Sequence, residues 1–202
     1  MEIIFATGNA DKLKEVNFYL TQANVENVFL KTVKDCHSSI QEKYDPEETG
    51  STFQENAFIK AKALYDLIKA PVFAEDSGIQ VEYLDNEPGI YSARLAPTGK
   101  ERNQILLDRL KDVPYEKRNA RFFASICFLD IDGNQVFFNG KVEGKIHEKE
   151  EGGGGFGFDP IFYYPALKKT FAQLETSQKQ KLSHRGKALQ KFFNYMNAFY
   201  GN

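Results

Sequence analysis

The sequence predicts an α/β fold built on a mixed sheet, and three observations carry that expectation. An apolar strand near the N-terminus runs through a small-residue turn into an amphipathic helix, the unit from which parallel crossovers are made. A long apolar run turns at Asp132-Gly133 and comes back as a second strand, which is the pattern of an antiparallel hairpin. With 202 residues, 42% of them hydrophobic, the chain can bury roughly 70% of its unfolded surface. It can do so as one large domain or as two lobes sharing a core.

Ile3, Ile4, Phe5 and Ala6 form a central strand that enters Thr7-Gly8-Asn9-Ala10-Asp11-Lys12, after which Leu13, Val16 and Leu20 mark one face of a helix. In such a unit the N–H groups of the turn and the helix terminus can receive phosphate, with Lys12 supplying a mobile positive charge. An ordinary capped helix start has the same pattern. The turn is neither a Walker loop nor a GxGxxG loop. Residues 25–33 read as a second strand and 34–50 as a polar, irregular loop. Thr52-Phe53-Gln54-Glu55 is a capping box, opening a helix to about residue 69 whose buried stripe is Phe53, Ala57, Ala61, Leu64 and Ile68. Lys60 lies off most of that stripe, either solvated or, if this end lines a cleft, able to meet phosphate.

Residues 71–74 make a short buried strand that reaches Glu75-Asp76, Ser77-Gly78 turns the chain, and 79–84 resume with a period of two. The turn sets both carboxylates at a strand end. Adjacent strand residues point to opposite sides, so the two acids have different jobs; in a chain with 28 acids, adjacency is also a cheap coincidence. Residues 88–94 form a turn that carries Arg94 to the surface, with Tyr91 packed beneath it. Thr98-Gly99-Lys100-Glu101 is a second capping box, before a helix that partly buries Ile105, Leu106, Leu107 and Leu110 and stops at Val113-Pro114. Residues 120–129 are too continuously apolar for one face to meet water; 135–139 return as the hairpin partner, and 141–147 form a further strand after Gly140.

The segment Gly152-Gly153-Gly154-Gly155-Phe156-Gly157-Phe158-Asp159-Pro160 mixes glycines with aromatics and ends on a proline. Its glycines allow close approach to a ligand, Phe156 offers a stacking surface and Asp159 accepts hydrogen bonds; a hairpin loop with core aromatics reads equally well. Residues 161–164 are strand-like and 171–174 a local turn or helix. Ser183 caps a final helix whose buried face is Leu189, Phe192, Phe193, Met196 and Phe199. His184 and Arg185 then sit at the helix's positive end, where cations gain nothing from the dipole, and this favours anion or base contacts. His184 is otherwise a packed histidine.

Composition sets the limits. Lys and Arg total 26 against 28 acids, for a formal charge of -2, which argues against a nucleic-acid coat. Cys36 and Cys127 are the only cysteines and form no metal motif, so free thiols in a reducing cytoplasm are expected. The chain begins on strand-like residues without a basic region and apolar leader, and no segment approaches 18 continuous apolar residues. Neither secretion nor membrane spanning is expected.

Four separated motifs occur in order: Thr7-Gly8-Asn9 with Lys12, Glu75-Asp76-Ser77-Gly78-Ile79, Gly155-Phe156-Gly157-Phe158-Asp159-Pro160-Ile161-Phe162, and Ser183-His184-Arg185-Gly186-Lys187-Ala188-Leu189. Glu47-Glu48-Thr49-Gly50, Glu55-Asn56-Ala57, Lys60-Ala61 and Pro88-Gly89-Ile90-Tyr91-Ser92-Ala93-Arg94 fill the intervals. Together they resemble the inosine/xanthosine triphosphate pyrophosphatase family, the Ham1-like house-cleaning nucleotidases, over nearly the whole chain. The resemblance implies a single domain over 1–202, its two lobes sharing a continuous core, with a central mixed twisted sheet flanked by helices and an active-site cleft between the lobes. It implies hydrolysis of ITP, dITP or XTP to the monophosphate and pyrophosphate with Mg²⁺, a homodimer, and no stable nucleic-acid or membrane partner.

Site by site, the resemblance makes Thr7, Gly8, Asn9, Ala10, Asp11 and Lys12 the phosphate-contacting turn, with Lys60 and Ser77 as further phosphate contacts. Glu48 and Asp76 become the metal-associated acids, Asp76 also activating water, with Glu75 and Arg94 in support. Phe156, Gly157, Phe158 and Asp159 form the base pocket with Lys179, Ser183, His184 and Arg185. Donors from His184 or Arg185 would suit a 6-oxo purine, because adenine would leave them unpaired. This chain departs from the family pattern at Phe158, where Tyr is frequent, at Gln173, where Glu is common, at Gln178 and Gln180, and at Glu150-Glu151. Two other readings of the same features are a non-catalytic nucleotide sensor and a nucleotidase of broader or modified-pyrimidine specificity.

Overall fold

The computed structural model describes residues 1–23 and 28–201. Its sheet has seven strands: β1 (Glu2–Phe5), β2 (Phe29–Thr32), β3 (Val72–Val81), β4 (Asn119–Leu129), β5 (Gln135–Ile146), β6 (Phe162–Tyr164) and β7 (Lys169–Thr170). They lie in the order β2-β1-β3-β4-β5-β6-β7. β1 pairs parallel with β2 and β3, whereas β6 pairs antiparallel with β5 and β7, so the sheet is mixed as expected. The helices are α1 (Ala10–Ala23), α2 (Ser38–Lys43), α3 (Phe53–Ile68), α4 (Gly99–Arg109), α5 (Thr176–Leu182) and α6 (His184–Tyr200).

Both capping boxes form. Thr52 accepts from the Glu55 N–H while Glu55 reaches back to the Thr52 N–H, and Thr98 does the same with Glu101. The stripe of α3 is buried through Leu64, with Ile68 half-buried. α4 ends at Arg109, ahead of the predicted stop.

Several expectations are corrected. Glu75-Asp76 lies inside β3 and not at its end, because the strand runs through Ser77 and Gly78 without turning. The ladder is held there by Ser92, whose Oγ accepts from the Ile79 N–H at 2.9 Å. Gly140 likewise does not divide β5. The second strand is only Phe29–Thr32, and residues 25–27 of the predicted one lie outside the described residues. The predicted loop 34–50 contains α2, capped by His37 and packed through Ile40 and Tyr44 against a buried cluster. Tyr91 is 59% exposed and Phe199 69%, so neither packs as expected.

The chain divides into two compact units: residues 1–76, 124–140 and 186–202, and residues 77–123 and 141–185. In the first, one buried cluster centres on Phe5, Phe73, Phe128 and Phe192, with the Phe5 and Phe73 rings stacked at 4.4 Å; a second joins Ala57, Ala61 and Leu64 of α3 to Ile4, Val72 and Ala74. The second unit has its own core around Leu106, Leu110, Phe122, Phe162 and Phe171. Cys127 is buried and Cys36 half-buried, both as free thiols. Among the described residues no helix is long and apolar enough to cross a membrane.

Candidate active site

The turn after β1 is organised by Asn9. Its Oδ1 accepts from the N–H groups of Asp11 at 2.9 Å and Lys12 at 3.2 Å, which caps α1. Its own N–H donates to Thr7 Oγ1 at 3.1 Å. Three N–H donors expected to await phosphate are therefore engaged within the turn. Gly8 has open space where a Cβ would stand, and Ala10 is the first residue of α1. Lys12 is pinned, where the sequence suggested a mobile charge: its Nζ lies 3.1 Å from Glu75 Oε2 and 3.3 Å from the Glu75 carbonyl.

Alternation along β3 separates the adjacent acids. Glu75 meets Lys12, while Asp76 meets Lys60. Lys60 stands on α3 with its side chain 12% exposed, its Nζ 2.8 Å from Glu48 Oε1 and 3.0 Å from Asp76 Oδ1. The solvated reading of Lys60 is thereby excluded. Burial pulls the Lys60 ammonium down, but Asp76 and Glu48 outweigh it and hold its pKa above the usual lysine value. Burial pushes the Asp76 carboxyl up against the opposing pull of Lys60 and Lys12. Asp76 Oδ2 is buried without a hydrogen-bond partner among the described residues.

Two carboxylates converging on one cation, one with an unpartnered buried oxygen, suit a hard divalent cation. Mg²⁺ takes one or two carboxylates and completes its octahedron with water and phosphate oxygens. Among the described residues no larger group of His, Cys, Asp and Glu gathers into an all-protein cage. The donor set fits that way of holding the ion.

In the second unit Asp159 organises the glycine segment. Its Oδ2 accepts from the Phe156 N–H at 2.8 Å and pairs with Lys179 Nζ at 2.5 Å. Gly155 has φ +72, and a Cβ there would fall 2.1 Å from Asp159 Oδ2, so only glycine fits. Lys179 Nζ sits 4.8 Å and the Arg185 guanidinium 5.4 Å from the Phe156 ring centroid, both within cation–π range. Arg185 also donates to Ser77 Oγ at 3.0 Å. Gly157 has φ +64 with open space around it.

The remaining predicted residues have the following surroundings. Phe158 is buried in the apolar core of this unit. The His184 ring stacks on Phe122 at 4.6 Å and 14°. Ser183 is buried and ends α5, its Oγ donating to the Gln180 carbonyl at 3.3 Å. Arg94 is exposed at the end of a 3₁₀ turn.

The departures at 150, 151 and 173 are anchors of the glycine segment. Asn103 Nδ2 donates to Glu150 Oε1 at 2.7 Å. Gln173 accepts from the Thr170 N–H at 2.8 Å and donates to Glu151 Oε2 at 3.3 Å. A glutamate at 173 would set two carboxylates together. The sequence did not single out Asn103; an asparagine three residues before Leu106, on the apolar side of α4, was the available signal.

The profile of the Ham1 family matches residues 3–195. A dITP/XTP pyrophosphatase of Dictyoglomus thermophilum is 40% identical over 200 residues, covering 98% of this chain and 95% of its own length. Another, from Caldanaerobacter subterraneus subsp. tengcongensis, is 42% identical over 200 residues, covering 97% and 96%. Among solved structures, a HAM1 protein from Coxiella burnetii matches with a TM-score of 0.87 at 33% identity, over 98% of this chain and 99% of that one. The Staphylococcus aureus Ham1 protein matches with a TM-score of 0.85 at 35% identity over the same shares, 98% and 99%. With its profile, its full-length relatives and its fold in agreement, this chain belongs to the Ham1 family.

Proposed function

We propose that the protein hydrolyses non-standard purine nucleoside triphosphates, ITP, dITP and XTP, to the monophosphate and pyrophosphate. The observation that carries the reading is the Glu48–Lys60–Asp76 arrangement, two buried or half-buried carboxylates on one ammonium, in a chain whose relatives are named dITP/XTP pyrophosphatases. Asp76 takes a proton from water as it attacks the α-phosphorus, and pyrophosphate leaves. Lys60, Lys12 and the Thr7–Asn9 turn bind the triphosphate, with Ser77 as a further contact. Glu48 and Asp76 hold Mg²⁺, which when bound offsets charge developing on the phosphate oxygens. Phe156 stacks on the base; Lys179, held by Asp159, and Arg185 set the pocket's charge and donors, which favour a 6-oxo purine over adenine.

The protein is proposed to act in the cytoplasm as a homodimer, without a stable nucleic-acid or membrane partner. The test is product analysis. ITP with Mg²⁺ should give IMP and pyrophosphate; IDP with orthophosphate would overturn the reaction, and equal turnover of dTTP or UTP would overturn the substrate class.

A further inference from the structure

Asn56 is 1% exposed, in the second turn of α3. A buried side-chain amide that makes only part of its bonding capacity requires a reason, because an unmade bond in the interior is costly. Its Oδ1 accepts from the Gly50 N–H at 2.9 Å, while its Nδ2 is buried without a hydrogen-bond partner among the described residues. The amide cannot be turned the other way, since a backbone N–H can only donate.

The placement of that bond matters. Gly50 is two residues beyond Glu48, and Asn56 is four residues before Lys60, on the same face of the helix. Lys60 holds the Glu48 carboxylate at 2.8 Å, and Asn56 holds the backbone just beyond it. The next residues are stapled to the first turn through Glu55, whose Oε2 accepts from the Ser51 N–H at 2.6 Å and the Thr52 N–H at 3.1 Å. The close fit also requires glycine: a Cβ on Gly50 would stand 2.7 Å from Asn56 Oδ1 and 2.7 Å from Glu55 Cβ. Clamping alone could be done by an aspartate, an acceptor of the same shape. Asparagine adds a donor that no group of the described residues uses, one turn from the lysine that joins Glu48 to Asp76.

We propose that Asn56 is a positioning residue, which fixes Glu48 through the Gly50 N–H with its Oδ1 and presents its Nδ2 as a donor to an oxygen of the bound triphosphate. The second half rests on the reaction proposed above; the first does not. The two are separated by Asn56→Asp, which keeps the acceptor and loses the donor, and Asn56→Ala, which loses both. Amide hydrogen exchange at Gly50 reads the clamp without nucleotide or metal. Protection should fall at least tenfold in Asn56→Ala and persist in Asn56→Asp; unchanged protection in a folded Asn56→Ala protein would overturn the clamp.

If Asn56→Ala does not fold, Gly50→Ala replaces it: Mg²⁺ titrated calorimetrically without nucleotide should bind at least tenfold more weakly than in the parent, and parental affinity overturns the positioning role. For the donor, kcat for ITP in Asn56→Asp should fall at least tenfold, and kcat at the parental level overturns that half. Asp76→Asn serves as the control in the same titration: parental Mg²⁺ affinity there would remove the metal reading, leaving the exchange result to decide the clamp.

Discussion

Asp76 has its two carboxylate oxygens in different surroundings, one 3.0 Å from Lys60 and the other buried without a hydrogen-bond partner among the described residues. Its pKa is raised chiefly by burial, so the folded protein disfavours the ionised form relative to the unfolded chain. Stability drawn from a group with this sign is lost as pH rises through the folded value, and a neutral isostere removes the cost. Asp76→Asn is therefore expected to lower turnover by about a thousandfold without lowering the thermal midpoint, measured by steady-state kinetics and calorimetry on the same sample. Asp159 is the contrasting acid. It is 3% exposed beside Lys179, so Asp159→Asn leaves a buried cation without its counter-charge. We expect a loss of about 3 kcal/mol in urea unfolding. The separate tasks of Glu75 and Asp76 were legible from the two-residue period of a strand. That Phe158 fills the core while Phe156 meets two cations was not, since both are aromatics between glycines.

At the scale of elements, local chemistry decided helix starts better than strand ends. Thr52 and Thr98 each bond within their own first turn, so four consecutive residues specify the result. Ser77-Gly78 resembles a turn by the same local logic, yet β3 continues because Arg185 and Ser92, distant in sequence, satisfy that stretch. The loop before α3 depends on the Glu55 carboxylate, whose pKa is lowered by hydrogen bonds from Ser51 and Thr52. A lowered folded value means its contribution is full above the unfolded value and is lost as pH falls through the folded one. Thermal stability should thus decline below about pH 4.5, the ordinary value for this carboxyl; Glu55→Gln should flatten that decline in a pH series of melts. Gly155→Ala should distort the glycine segment and raise KM for ITP more than it changes kcat, because the added Cβ would meet Asp159.

At the scale of the molecule, each compact unit gathers its own cluster of candidate residues. The first gathers Lys12, Glu48, Lys60, Glu75 and Asp76; the second gathers Ser77, Phe156, Asp159, Lys179 and Arg185. The change from one unit to the other falls within β3, between Asp76 and Ser77. The proposed homodimer predicts a light-scattering mass of twice the 23.0 kDa chain, and a single-chain mass across the working concentration range would remove it.

By itself the sequence determined the α/β class, both capping boxes, the helical stripes and the membership of the motifs, because each depends on residues within a few positions of one another. Tertiary structure decided which cation meets which acid. Lys60 had no assigned partner in its own helix pattern, and folding brought it to Glu48 and Asp76. Lys12, read as mobile, was fixed by Glu75, 63 residues away. Ion pairs between distant residues depend on where whole elements pack, and periodicity within an element carries no record of that.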